Sequence, residues 1–174
     1  MSTIYKIKSY RNSKLPFLNA IAERICEKMR LPMYITGIAS NSINLKKMDG
    51  ALFKKVGCEI ARKLNGEVID YIYPSYPLNY FRLEIKIGEK TTSILLHEYF
   101  PYVAIAIYEN MLQIQFVDDE DITTELRQYY TVLETTFLNE SFNMNGHNLS
   151  EVELKNEKHW RPNTNGEVIF NCWD

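Results

Sequence analysis

At Gly66 the apolar residues stop recurring every three or four positions and begin to alternate. Before it, Leu52, Phe53, Val56, Gly57, Ile60, Ala61 and Leu64 form the stripe of an amphipathic helix, with Asp49 placed to cap its start. Asn65-Gly66 supplies the left-handed exit that stops it. After it come "EVIDYIY", "NYFRLEIKI", "TTSILLHEYF", "YVAIAIY" and "MLQIQFV". In the second of these, Phe81, Leu83, Ile85 and Ile87 share one face, and Arg82, Glu84 and Lys86 the other. Gly88-Glu89 and Glu109-Asn110 leave room only for tight turns, so these strands pair with their sequence neighbours in an antiparallel meander. "YVAIAIY" is apolar on both faces, as a central strand covered on both sides requires. A chain that runs helix, strands, helix in this way is α+β, with a meander sheet packed against about three amphipathic helices.

The flanks are read the same way. Residues 3–10 alternate as a short strand. Ser13 caps a helix whose stripe is Phe17, Leu18, Ile21, Ala22, Ile25, Cys26 and Met29. "MYITGIA" (33–39) reads as a strand. Ile122, Leu126, Tyr129, Tyr130, Leu133 and Phe137 predict one long third helix. "EVELK" and "GEVIFNCW" read as a last hairpin, with its terminal strand docked on the sheet. Both tryptophans, Trp160 and Trp173, fall in this tail, where chains are usually frayed. Docking gives them a place to be buried. No linker or repeat divides the 174 residues, so residues 1–174 are expected to be a single domain.

Composition excludes some functions. No apolar run approaches the ~20 residues of a membrane span. The start, "MSTIYKIKSYRNSK", has no apolar signal core, so a cytoplasmic location is expected. Cys26, Cys58 and Cys172 form no CxxC pair, and reduced thiols are expected. The net charge of −2 conceals a split: residues 1–87 carry 15 Lys/Arg against 7 Asp/Glu, residues 88–174 carry 5 against 15. Such a split suits a macromolecular partner, or basic helices lying against acidic elements of the same fold.

The search for chemistry finds little. His97, His147 and His159 show no HxH or HExxH spacing, and no metal or cofactor is expected. No glycine-rich phosphate cradle and no nucleophile elbow occur. Catalysis is therefore not the leading expectation. The alternative to a binding protein is a small enzyme or ligand-binding domain with a pocket near His97 and Tyr99. A second alternative is nucleic-acid binding through Lys54, Lys55, Arg62 and Lys63 on the helix before Gly66. The acidic second half would repel that ligand, which makes nucleic acid the weaker reading. The run Asp118, Asp119, Glu120, Asp121 lacks the glycine turn of a calcium loop. It suits either a helix N-terminus or an acidic surface for a basic partner.

"YIYPSYPLNYF" (71–81) sets Tyr71, Tyr73, Tyr76, Tyr80 and Phe81 around two prolines. Tyrosine supplies large contact area with a polar handle and is enriched at interfaces. Tyr76, between Pro74 and Pro77, is the residue expected to be exposed.

The ending, His159-Trp160-Arg161-Pro162 followed by Gly166-Glu167-Val168-Ile169-Phe170-Asn171 and Trp173-Asp174, loosely resembles small bacterial proteins of the polymorphic-toxin immunity type. That resemblance covers about fifteen residues and carries over no site residue. It implies a cytoplasmic, non-catalytic protein that binds and neutralises a toxin domain, one such as a basic nuclease. The leading expectation is a protein-binding module with Tyr76, Tyr80, Asp118, Asp119, Glu120 and Asp121 as candidate contacts.

Overall fold

The computed structural model describes residues 29–37, 44–110 and 113–173, and the residues from Leu31 onward form one compact unit. The expected strand 3–10 and the helix opening near Lys14 lie outside the described residues. The elements are helix α1 (Gly50–Lys63), strands β1 (Glu67–Ile72), β2 (Tyr80–Ile87), β3 (Lys90–His97), β4 (Tyr102–Asn110) and β5 (Gln113–Phe116), helix α2 (Glu120–Leu126), strand β6 (Thr131–Val132), helix α3 (Thr135–Leu138), a 3-10 turn (Met144–Gly146), and helices α4 (Glu151–Trp160) and α5 (Asn165–Ile169). The sheet order is β1-β2-β3-β4-β5, every neighbouring pair antiparallel, with short β6 added parallel to β4. This is the α+β meander that the alternating runs dictate.

Helix α1 begins as expected. The Asp49 carboxylate accepts the backbone N–H groups of Ala51 and Leu52. It ends in a Schellman motif, in which Gly66 N–H donates to Ala61 O at 2.7 Å while Asn65, not Gly66, takes the left-handed conformation (φ 54°). Phe53, Val56, Gly57, Ile60 and Ala61 are buried, whereas Leu52 is largely exposed. Gly57 lets the helix lie close on the sheet: a methyl group built there would stand 2.5 Å from Leu83 Cδ1. That contact offsets the ~1 kcal/mol propensity cost of glycine in a helix. Phe81, Leu83, Ile85, Ile94, Leu96, Val103 and Ile105 meet α1 and α2 in one core.

The opposite face is buried as well. Leu95, Ala104 and Ala106 are fully covered, and Tyr80 packs edge-on against Phe170. Hence β3 and β4 are apolar on both sides. Among the described residues no helix is long and apolar enough to cross a membrane.

Several local expectations are corrected. "EVELK" is helix, not strand, because Ser150 and Glu153 form a capping box that starts α4. "GEVIF" is the short helix α5, capped by Thr164. The tail does dock, with Val168, Ile169, Phe170 and Trp173 buried, but through these side chains and the bonds between Asn79 and Asn171 rather than as a ladder strand. Trp160 stays 38% exposed. The long third helix stops at Leu126, because Thr131 and Leu133 donate their N–H groups to Pro101 O and Val103 O on the sheet. "MYITGIA" contains a turn over 33–36 instead of a strand, with Tyr34 and Gly37 at positive φ.

Removing a buried aromatic from a packed core costs about 3–5 kcal/mol through lost burial and the cavity left behind. Phe170→Ala is therefore expected to lower the urea unfolding free energy by that amount; a change within 0.5 kcal/mol, on the order of an exposed-site substitution, would show that the tail is not part of the core.

Candidate functional site

The site rests on a buried polar junction. Asn79, just before β2, donates its side-chain N–H to Ile169 O at 2.9 Å and accepts Asn171 N–H at 2.9 Å. Asn171 in turn donates to Val168 O and to Thr36 O. Beside them the Glu153 carboxylate is fully buried. It accepts the N–H groups of Tyr34, Thr36 and Ser150 and the hydroxyls of Thr36 and Ser150. Buried polar atoms so matched hold four distant stretches of chain, at 34–36, 79, 150–153 and 168–171, in one geometry.

His97 belongs to this junction. Its Nδ1 accepts the backbone N–H groups of Tyr99 (3.0 Å) and Phe100 (3.2 Å), which places the proton on Nε2, facing Ile35 O at 2.6 Å. Both ring nitrogens are thus committed to backbone. Burial lowers its pKa to about 4, and the Ile35 carbonyl opposes that shift only in part. His97 thus braces the Tyr99–Phe100 turn against Ile35, and it is its neighbours Glu98 and Tyr99 that line the adjoining cleft.

Tyr99 does face a cavity. A cleft of about 530 Å3 opens over the junction, walled by Tyr76, Tyr99 and Trp173 and floored by Glu98. The Glu98 side chain is 10% exposed, and its Oε1 meets Lys47 Nζ at 2.6 Å, while the Lys47 side chain is 63% exposed. The hydrogen bond and charge of Glu98 raise the Lys47 pKa. Burial first, and then the Glu98 charge, raises the Tyr99 pKa. Asn156 of α4 completes the rim. A second cleft of about 540 Å3 lies on the far side of Trp173, between Phe116, Trp160, Phe170 and Glu167. Among the described residues no group of His, Cys, Asp and Glu is arranged to hold a metal ion.

The sequence-derived contacts do not all meet. Tyr76 is 80% exposed on the rim, as expected. Tyr80 is 1% exposed and packs into the second face, so it is not available to a partner. The acidic run begins at the other end of the sheet: Asp119 pairs with Lys90 at the start of β3, whereas His97 at its finish lies opposite Tyr80. Eight residues of strand separate these ends, about 23 Å at the rise of a β-strand. Asp118 accepts Thr135 N–H ahead of α3, and Asp119 caps α2 by accepting Ile122 N–H. Although burial works against it, Lys90 together with the backbone N–H groups of Ile122 and Asp121 holds the Asp119 carboxyl below its ordinary pKa. Glu120 and Asp121 are left exposed.

The basic helix face is partly engaged within the fold. Lys63 meets Glu125, and Lys54 lies over the Tyr71 ring at 5.3 Å. The Lys47–Glu98 and Lys63–Glu125 pairs each join the basic half of the chain to the acidic half. Sequence reasoning missed Lys47, Glu98, Asn156 and Trp173 as neighbours. No family model matches this chain, and neither does any curated protein or solved structure.

Because the folded pKa of His97 is depressed, its stabilising contribution is full above the unfolded value near 6.5 and is lost as pH falls toward 4. The loss is on the order of 3 kcal/mol. Unfolding free energies measured across pH 7 to 4 are expected to decline by that amount, and His97→Gln is expected to be less stable at pH 7 and flatter across the same range. An equal slope in the variant would assign the decline to other groups.

Proposed function

We propose that this protein is a non-catalytic binding module that engages another protein through the tyrosine–proline loop 73–78 and the adjoining cleft. The observation that carries the reading is the presentation of Tyr73 and Tyr76, 60% and 80% exposed, on a loop whose root is locked by Asn79. Large aromatics held in place by a rigid base lose little entropy on binding and make effective anchors. The commitment of both His97 nitrogens to backbone supports binding over acid–base chemistry at this cleft. Neutralisation of a toxin domain by an immunity-type protein in the cytoplasm is the form of this function that the C-terminal resemblance suggests. A basic toxin would meet the acidic second half of the chain.

In this reading the centre of the contact is Tyr76. Asp118 and Asp119 act inside the fold as caps, and only Glu120 and Asp121 of the acidic run remain for a partner at the far end.

Loss of a tyrosine anchor typically costs 2 kcal/mol or more, which is about 30-fold in affinity. The tagged full chain, isolated from its own cells, is expected to carry a stoichiometric protein partner. Tyr76→Ala should lose it while its circular dichroism and melting are unchanged, whereas Glu120→Gln with Asp121→Asn should reduce recovery less. Equal recovery by wild type and Tyr76→Ala would defeat the assignment.

A further inference from the structure

The floor of the 530 Å3 cleft holds a carboxylate that is nine-tenths withdrawn from water, and among the described residues its only cationic neighbour in the lining is a lysine that is itself mostly in water. These two facts set an asymmetry. Glu98 is expensive to leave uncompensated, because a buried charge without a partner has lost its hydration and gained nothing. Lys47 loses little by leaving, because its ammonium is already solvated and an exposed ion pair contributes weakly. Lys47 contributes one N–O contact from a flexible stem. A guanidinium would offer two parallel N–H bonds in a rigid fork to the same carboxylate. The walls suit that group too. Tyr76, Tyr99 and Trp173 line the cleft, and aromatic faces attract a flat, weakly hydrated cation.

We propose that this cleft receives an arginine side chain of the partner, whose guanidinium displaces the Lys47 ammonium from Glu98 and lies against the rings of Tyr76, Tyr99 and Trp173. Lys47 is then an internal stand-in: it keeps Glu98 compensated in the free protein and swings into solvent when the arginine enters. The inference rests on the reading of this loop and cleft as a protein-binding site, and it adds the chemistry of the partner's anchoring residue.

The test uses the full chain and N-acetyl-arginine methylamide as the probe, followed by the Trp173 indole N–H signal in an NMR titration, with Trp160→Phe to assign it. Saturable binding in the millimolar range is expected. Lys47→Ala is expected to bind the probe at least threefold more tightly, because a competitor has been removed. Glu98→Gln, which keeps the shape of the side chain, is expected to bind it at least tenfold more weakly. Tyr76→Ala is expected to weaken it several-fold without touching the charges. N-acetyl-lysine methylamide should bind less well than the arginine probe. Weaker binding by Lys47→Ala would mean that Lys47 is itself a ligand group and would overturn the proposal. So would an arginine titration without saturation, or one indifferent to Glu98→Gln. If the arginine probe fails while Tyr76→Ala still loses the captured protein, the partner binds here by other chemistry. If Tyr76→Ala retains that protein, the binding-loop reading falls separately.

Discussion

The described fold depends on a set of buried hydrogen bonds that pin three stretches of chain to one end of the sheet. Glu153 collects the backbone of Tyr34 and Thr36. Asn79 and Asn171 grip one another and the chain on either side. His97 bridges Ile35 to the Tyr99–Phe100 turn. Each of these polar groups would cost about 1–3 kcal/mol if buried without its partner. Once satisfied together they specify a single arrangement, since no member can move without leaving another unpaired. The apolar layers on both sides of β3 and β4 supply the driving force for collapse, and the junction selects which collapsed geometry persists.

That junction also explains where the candidate site lies. A rigid polar base where β2 begins and β3 ends leaves the 73–78 loop projecting and leaves Glu98 partly sunk beside it. The tyrosines can then be exposed without being frayed. Trp173, which forms a wall of the clefts on both its sides, is in place because Asn171 fixes the chain two residues earlier. Structure and site are therefore linked through the tail: the aromatic groups at the C-terminus serve the second face of the sheet and the cleft at once.

The charge asymmetry takes on a double meaning. Part of it is spent within the molecule, where Lys47 meets Glu98 and Lys63 meets Glu125 across the two halves of the sequence. Asp118 and Asp119 serve helix starts, as carboxylates near exposed N–H groups do. The asymmetry is therefore partly internal to the fold, while Glu89, Asp121, Glu151 and Glu167 stay exposed on its surface.

The sequence by itself determined the meander and helix α1, because alternation, the 88–89 turn and the Asp49 cap act over a few residues and leave a periodic trace; the register shifts at Val68/Asp70 and Tyr108/Asn110 left none. It also carried the α4 capping box in Ser150 and Glu153, a signal present in the letters but masked by the strand-like look of "EVELK". Tertiary structure alone decided the fate of "MYITGIA", "GEVIF" and the segment after Leu126. Backbone groups there are taken up by partners far along the chain, such as Glu153 for Tyr34 at a separation of 119 residues and Asn79 for Ile169 at 90. Local propensity cannot encode a bond whose other half lies across the molecule. For the same reason Tyr76 was legible as an exposed residue between prolines, while the cleft that joins it to Lys47, Glu98 and Trp173 exists only once the loops between them have closed.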